Sequence, residues 1–257
     1  MKRKLSFFIV VLCVTCTISK AQTTSIVVME DKTPYGMQTY FSSGNGGLQT
    51  SEIKSYWDQN YYITSVAYGS FGWFVTMSQG TGWTDQSYSY RNRWPDDWVQ
   101  QQKSAGNYIT SLASSENMWL VVTSANSDYS AQEICAAPWS SLKEWIGTWR
   151  DKGYYITSIA CQKGLWTVVM SKTYIYKDQM YFWSTSTDNL KKRINEKWDE
   201  GYEITALEYG NGEYFCIMSK YNSSKQKLQY WIVGTIGLKK EIKKYWDMSW
   251  SIIYVGG

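Results

Sequence analysis

One strand-like octet of apolar and hydroxyl residues recurs along the chain. NYYITSVA (60–67), GNYITSLA (106–113), GYYITSIA (153–160) and GYEITALE (201–208) are rich in the β-branched and aromatic residues that favour strands. Their isoleucines, Ile63, Ile109, Ile156 and Ile204, lie 46, 47 and 48 residues apart. A fixed period of this length indicates a repeat architecture.

Two further strands are predicted in each repeat. WFVTMS, WLVVTS, WTVVMS and YFCIMS are apolar at consecutive positions, which is typical of strands covered on both faces. The dipeptides KG (163–164) and NG (211–212) precede two of these strands and favour tight hairpins with positive φ. A third strand carries a recurring glutamine, found at Gln38, Gln86, Gln132, Gln179 and Gln229.

The apolar period then changes from strand-like to helix-like. The i, i+4 pairs on one helical face are Ile53/Trp57, Trp145/Trp149, Ile194/Trp198 and Ile242/Trp246. We expect Trp57, Trp149, Trp198 and Trp246 in the core. The second copy, PDDWVQQQKSAG, lacks such a pair, although its Pro95 and two aspartates suit a first turn. Thr187 or Asp188 is expected to cap one helix, and Gly201 to end it.

The chain ends indicate how the repeats are joined. SIVVME (25–30) aligns with the second strand of a repeat, and WSIIYVGG (250–257) aligns with the first. We therefore expect residues 23–41 to pair with residues 250–257 and complete a fifth unit. The predicted fold is mainly β with short helices: a closed, five-fold pseudo-symmetric, propeller-like ring of strand-strand-strand-helix units. A pentein-like five-fold β-β-α-β ring has the same element count and remains an alternative.

Residues 1–21 resemble a secretory signal peptide. A basic start, an apolar run and Ala21 at its end are typical of such leaders, so we expect residues 22–257 to form one exported domain in the periplasm, outside the cell or at its surface. No later segment is apolar enough to predict a membrane span. Without the four basic residues of the leader, 22 basic side chains face 22 acidic ones, which gives no reason to expect nucleic-acid binding. Cys135, Cys161 and Cys216 are expected to be buried thiols.

The repeated motif resembles a known sequence family. W-x-x-G-Y-x-I-T, an aromatic strand ending in Met-Ser, and then Q-x-aromatic are similar to an uncharacterised repeat domain of bacterial secreted proteins and of the C-terminal end of plant casein-kinase-I-like proteins. The similarity is best at 145–220, and it fails in the second helix, where Lys103 lies near the tryptophan position. Because this family carries no established activity, the resemblance implies a fold module. Nothing in the chain resembles a kinase.

Several kinds of chemistry are excluded by composition. The chain has no histidine, which rules out histidine triads and histidine metal sites, and we expect no cofactor and no metal. Carboxylates could still hydrolyse a glycosidic bond, and Asp96/Asp97 and Asp199/Glu200 are adjacent pairs. Charged helix ends in water are the simpler interpretation of both pairs. No catalytic residue is therefore assigned.

The candidate binding residues are those that break the repeat. Glu203 replaces Tyr62, Tyr108 and Tyr155 at the start of a predicted strand. The tryptophans in less repeated stretches are candidates for stacking on a sugar or gripping a protein partner: Trp83, Trp94, Trp139 and Trp183. The five glutamines either surround a ligand or bind the backbone of a neighbouring unit, and we favour the second interpretation.

Three functional hypotheses remain. The first is a secreted, non-catalytic binding module for a glycan or protein ligand. The second is a carboxylate-based glycoside hydrolase, which a pair of buried carboxylates facing one cleft would favour. The third is a structural or assembly protein of the cell surface.

Overall fold

The computed structural model describes residues 25–44, 46–223, 227–234 and 237–257. The predicted signal peptide lies outside these residues. None of the helices in the described part of the chain is both long and apolar enough to span a membrane.

Fifteen strands and five helices alternate in a regular order within the described residues. The strands are β1 (Ile26–Glu30), β2 (Gln38–Ser42), β3 (Tyr62–Gly69), β4 (Gly72–Ser78), β5 (Thr84–Arg91), β6 (Tyr108–Ser114), β7 (Trp119–Ala125), β8 (Ala131–Ala137), β9 (Tyr154–Gln162), β10 (Leu165–Lys172), β11 (Tyr176–Ser184), β12 (Glu203–Gly210), β13 (Glu213–Tyr221), β14 (Gln229–Val233) and β15 (Ser251–Gly256). The helices are α1 (Thr50–Trp57), α2 (Asp96–Ser104), α3 (Trp139–Arg150), α4 (Thr187–Asp199) and α5 (Leu238–Trp246).

The strands form five antiparallel sheets of three strands each. Their strand orders are β14-β1-β15, β2-β4-β3, β5-β7-β6, β8-β10-β9 and β11-β13-β12. In every sheet the strand before the helix lies at one edge, and the strand after the helix lies at the other. We call these the outer and inner strands, and the one between them the middle strand.

The structural unit is offset from the repeat assigned from the sequence. The third strand of each sequence repeat pairs with the next sheet; β5, for example, pairs with β7 and not with β4. A sheet therefore follows the order outer strand, helix, inner strand, middle strand. Periodicity fixes the length of a repeat but leaves its starting point open, which explains the difference.

The two ends of the chain share one sheet. β1 is its middle strand, with Ile26 opposite Val233 of β14 and Gly256 of β15. The predicted pairing of the N-terminal segment with residues 250–257 is confirmed for β1 and wrong for β2, which pairs with β4 of the following sheet. The N-terminal segment thus completes the shared sheet with one strand, not two.

Neighbouring sheets pack in a cyclic order. The inner strands contact each other in the sequence β3, β6, β9, β12, β15 and again β3. Five hydrophobic clusters each join one sheet and its helix to the next sheet. One cluster packs Ile53 of α1 and Val75 of β4 against Leu120 of β7. Because such clusters lie on both of its faces, β4 is buried at every residue, as its continuous apolar pattern predicted.

Local turn chemistry agrees largely with the sequence. Lys163-Gly164 and Asn211-Gly212 have positive φ, which confirms both predicted hairpins. Gly201 follows α4 with φ 82°, as expected for the left-handed residue after a helix. The α4 cap is Ser186, whose hydroxyl accepts from the N–H of Asn189 at 3.1 Å, and not Thr187 or Asp188.

The recurring glutamines bind neighbouring sheets together. Gln132, on the outer strand β8, accepts from the N–H of Ile109 through Oε1 at 2.8 Å and donates to its carbonyl through Nε2 at 2.8 Å. The same Nε2 donates to Ser171 of the middle strand at 2.8 Å. Gln38, Gln86, Gln179 and Gln229 bind both backbone groups of Ile252, Ile63, Ile156 and Ile204 in the same way. The structural interpretation of the glutamines is confirmed.

The helix tryptophans belong to this polar network. The Nε1–H groups of Trp57, Trp198 and Trp246 donate to the Oε1 atoms of the glutamines at 3.0 to 3.2 Å. These side chains, and Trp149, pack against the hydrophobic clusters but are only half-buried, so the expected core position is met in part. The indole ring is apolar, but its N–H is a hydrogen-bond donor, so the side chain suits a position where the hydrophobic core borders a polar network. In α2, Lys103 donates to the carbonyl of Gln132 instead.

We expect Gln132→Ala to lower the free energy of unfolding by about 2–4 kcal/mol. The change leaves the buried N–H and carbonyl of Ile109 without partners, and each orphaned buried group costs about 1–3 kcal/mol. Urea denaturation measures the effect, with the exposed Gln101→Ala in α2 as the matched control, for which we expect a change within about 0.5 kcal/mol. Equal effects of the two substitutions would refute the structural role of the glutamine.

Candidate functional site

The loops from the middle strand of one sheet to the outer strand of the next gather at one end of the sheets. Their described residues are 31–37, 79–83, 126–130, 173–175, 222–223 and 227–228, and we call this the loop end. An aromatic residue stands three positions before the glutamine in four repeats: Tyr35, Trp83, Tyr129 and Tyr176. Trp83 therefore occupies a repeated position, contrary to the expectation from the sequence, and its spacing to Gln86 is the signal that identifies it.

Tyrosines from different sheets converge at the loop end. The ring centroids of Tyr176 and Tyr221 lie 5.2 Å apart, with the rings packed edge-to-face. Burial, and then the charge of Glu30, raises the pKa of Tyr35 to about 12. Burial also raises the pKa of Tyr129, Tyr176 and Tyr221. All four side chains nonetheless keep some accessible surface, and both properties together fit residues on the walls of a recess.

Glu30 is a buried carboxylate whose oxygens are both satisfied. It stands after Met29, where the other repeats have a serine, and is 1% exposed. Its Oε1 is 2.6 Å from the ammonium of Lys227, and its Oε2 accepts from Nε2 of Gln229 at 3.0 Å. Burial raises its pKa, and Lys227 opposes that shift. Because both oxygens are engaged inside the protein, Glu30 has a structural role.

Glu203 is a buried carboxyl group that lacks one partner. It begins β12 and is 8% exposed. Its Oε1 accepts a long hydrogen bond, 3.4 Å, from the backbone N–H of Lys227. Its Oε2 is buried and has no hydrogen-bond partner among the described residues. Burial, and then the charge of Glu30, raises the pKa of Glu203 to about 7. The repeat-breaking residue is thus an incompletely bonded acid that titrates near neutrality.

Two crevices at the loop end occupy equivalent positions of different repeats. The Glu203 crevice has a volume of about 150 Å³, and it is lined by Trp198, Gly201, Tyr202, Glu203, Lys227 and Gln229 among others. The Trp250 crevice has a volume of about 350 Å³, and its lining includes Tyr35, Gln38, Trp246, Ser249, Trp250 and Ser251. Trp198 matches Trp246, and Glu203 matches Ser251. Each crevice therefore combines two aromatic walls with the glutamine of the network.

The four tryptophans proposed from the sequence do not form one site. Trp83 is half-buried at the loop end. Trp94 packs edge-to-face on Trp119 at 5.2 Å, and Trp139 lies 4.7 Å from Phe215 within the core. Trp183 is 42% exposed. Only Trp139 and Trp183 meet, with ring centroids 5.2 Å apart.

Glu203 is far along the sheet from that tryptophan pair. Trp183 lies opposite Phe215 on β13, whereas Glu203 lies opposite Ser219 near the other end of the same strand. Trp94 follows Arg91, which is paired with the first residue of β7, so it too is away from the loop end. The structure thus brings Glu203 together with Trp198 and Tyr202, and with none of the four candidate tryptophans.

The adjacent carboxylates singled out in the sequence lie at helix ends. Asp96 and Asp97 are exposed in the first turn of α2. Asp199 and Glu200 are exposed at the end of α4, where Glu200 pairs with Lys197 at 2.6 Å. Neither pair lines one of the two crevices, which agrees with the simpler interpretation of solvated helix ends.

The three cysteines in the described part of the chain carry free thiols. Cys216 is fully buried, as expected, whereas Cys135 and Cys161 are only half-buried. Burial raises the pKa of all three thiols, which keeps them protonated and poorly nucleophilic at neutral pH.

Two comparisons with known proteins place the chain in context. A family model described as "Domain of unknown function (DUF7477)" matches residues 10–139 and 137–256. The first match ends just after β8, so β8 lies in the first match whereas β9 and β10 of the same sheet lie in the second. One similar protein is the Casein kinase 1-like protein HD16 of Oryza sativa subsp. japonica, 32% identical over 109 residues. The match covers 42% of this chain and 15% of the rice protein.

Proposed function

We propose that this chain, which belongs to the DUF7477 family, is a secreted, non-catalytic module that binds a glycan at the loop end of a closed, propeller-like ring of five sheets. Export rests on the signal peptide predicted at 1–21. The ring and the binding surface each rest on separate observations.

The ring is supported by the order of packing. The contacts between inner strands return from β15 to β3, and each hydrophobic cluster joins two neighbouring sheets. All pairing within the sheets is antiparallel, which is typical of propeller blades. A helix beside each three-stranded sheet would take the place of the fourth strand of a usual blade.

Glycan binding is carried by one observation, the two equivalent crevices at the loop end. Sugars present flat apolar faces and a rim of hydroxyls, so they suit aromatic walls combined with a few polar groups. Trp246 and Trp250 line one crevice, and Trp198 and Tyr202 line the other, each with a glutamine. Equivalent sites on one chain would also allow a branched or repetitive glycan to bind at two points, which strengthens weak contacts.

Binding without turnover is supported by the carboxylates. Glycoside hydrolysis uses two carboxyl groups on either side of the bond to be cleaved. Oε2 of Glu203 has no partner among the described residues, but the neighbouring Glu30 is fully engaged by Lys227 and Gln229. A hydrolase would need a second acid with access to ligand, and the described lining of the two crevices contains no acid other than Glu203.

We expect Trp250→Ala to weaken glycan binding about five- to a hundred-fold. Loss of a stacking aromatic costs about 1–3 kcal/mol in comparable complexes with flat ligands. A glycan array identifies a ligand, and calorimetry then compares the two proteins, with circular dichroism to confirm folding. Trp183→Ala, at the opposite end of the sheets, is the matched control and should bind as the parent does.

Three results would contradict this proposal. Loss of binding in Trp183→Ala alone would move the site to the opposite end. Binding of proteins but of no glycan would change the ligand class. Release of sugar products by the parent, abolished in Glu203→Gln, would make the chain a hydrolase.

A further inference from the structure

We infer that the Glu203 crevice is a subsite for a protonated primary amine carried by the ligand, such as the amino group of an amino sugar. The inference rests on the proposed glycan binding and adds the chemical identity of one sugar substituent. It follows from three observations on this crevice. Glu203 breaks the repeat, Lys227 is already paired with another acid, and nearby tyrosine rings contact lysine ammonium groups.

The repeat places a charge at this position in one unit. The equivalent residues of the other inner strands are Tyr62, Tyr108, Tyr155 and Ser251, which are all neutral. Tyr108 is satisfied within the fold, since its hydroxyl donates to the carbonyl of Ser130 at 2.9 Å. Among the residues that the structure describes, Oε2 of Glu203 has no such internal partner, although more than nine-tenths of the residue is buried. The equivalent crevice around Ser251 therefore lacks the acid that this one has.

Lys227, the described cation whose charge acts on Glu203, makes its ion pair with another acid. The ammonium of Lys227 is held by Glu30 at 2.6 Å, and only the backbone N–H of Lys227 reaches Glu203. Asp31 adds a further negative charge and accepts from the N–H of Leu228 at 2.6 Å. A buried acid that is short of a donor and surrounded by other acids is best completed by a donor that carries positive charge.

Two tyrosine rings near Glu203 already accept cations, and one of them, Tyr202, lines the crevice. The Nζ atom of Lys220 lies 4.3 Å from the ring centroid of Tyr202, and Nζ of Lys227 lies 4.6 Å from that of Tyr221. Such contacts add to the affinity for an ammonium group, most of all when it is desolvated. A volume of about 150 Å³ admits one amino-bearing group, not a whole oligosaccharide.

The test compares a glucosamine oligomer with its N-acetylated counterpart by calorimetry at neutral pH. We expect the parent to bind the free-amine oligomer at least tenfold more tightly, because acetylation removes the charge. Glu203→Gln should abolish this preference while retaining affinity for the N-acetylated oligomer. Glu203→Ser, which copies the residue of the Trp250 crevice, is a second variant in case the first does not fold.

The outcomes separate this inference from the proposed function. Equal affinity of the parent for both oligomers overturns the amine subsite and leaves glycan binding intact. A preference that persists in both variants also overturns it. If neither oligomer binds, 1,5-diaminopentane serves as a probe without sugar: binding that depends on Glu203 supports the amine site although glycan binding fails, and no binding overturns the inference.

Discussion

Deleting residues 250–257 is expected to abolish cooperative folding. The deletion removes β15, and with it Ile252 and Val255, which are buried in the cluster that joins the first and second sheets. It also removes the strand that is hydrogen-bonded to one edge of β1, and Oε1 of Gln38 loses the hydrogen bond that it accepts from the N–H of Ile252. Truncating a single buried aliphatic side chain costs about 2–5 kcal/mol, and domains have only about 5–15 kcal/mol in total. Calorimetry should show no cooperative transition, and exposed strand edges should promote aggregation.

A circular permutant provides the control for that deletion. Because Ile26 lies opposite Gly256, a short glycine-serine linker can join Gly257 to Ser25. New ends can be opened in the loop 79–83. The permutant keeps every strand, so we expect a cooperative transition within a few degrees of the parent. A truncated chain that melts cooperatively at the parent's temperature would show that β15 is not required to complete the fold.

The sequence predicted the repeat well because strand periodicity and turn chemistry are local. Apolar runs, positive-φ dipeptides and the spacing of Ile63, Ile109, Ile156 and Ile204 defined the elements that the structure contains. The sequence did not predict which strands share a sheet, because the third strand of each repeat pairs with the following sheet. The hydrogen bonds between β5 and β7, for example, connect parts of the chain that no local pattern links. The polar role of Trp57 and its equivalents was hidden, because an indole at an i, i+4 position looks apolar.

The candidate site was only partly predictable for a related reason. Glu203 could be found, because a charge at a position occupied elsewhere by tyrosine stands out within a repeat. Its missing partner could not, since this depends on Lys227 being engaged by Glu30, nearly two hundred residues away in sequence. Trp83 was classed with the non-repeated tryptophans because neighbouring copies have tyrosine there. Convergence of loops from separate sheets is a tertiary property that spacing alone does not convey.

A third buried acid is expected to make the contact between β12 and the C-terminal strand sensitive to pH. Glu208 of β12 occupies the position of Ala67, Ala113 and Ala160 in the other inner strands. Its Oε2 accepts from the hydroxyl of Tyr254 at 3.1 Å, and its Oε1 accepts from the N–H of Gly257 at 3.0 Å. Burial raises its pKa to about 8 despite these hydrogen bonds. The neutral acid is therefore the form that the folded chain prefers.

The sign of the pH dependence follows from that raised pKa. Between about pH 4.5 and pH 8 the folded chain holds a proton on Glu208 that the unfolded chain has released. The contribution to stability is fully present below pH 4.5, and it is lost as the pH rises through about 8. The loss is on the order of 3–5 kcal/mol as an upper estimate. The pKa of Glu203 is also raised, so its contribution to stability is likewise lost as the pH rises. The hydroxyl of Tyr202 lowers the pKa of Asp178, so the contribution of Asp178 is lost as the pH falls.

Glu208→Gln isolates this group from the others. The amide oxygen still accepts a hydrogen bond but never ionises, so we expect the variant to gain stability over the parent from pH 5 to pH 8.5, by a few kcal/mol at the upper end. Urea denaturation at several pH values in this range gives the free energy of unfolding of each protein. Subtracting the parent's value from the variant's removes the contributions of the other titrating groups, which the two proteins share. The control is Glu196→Gln at an exposed position in α4, and its free energy of unfolding should depend on pH as the parent's does. Parallel curves for Glu208→Gln as well would mean that Glu208 is ionised in the folded chain and that burial does not control its charge.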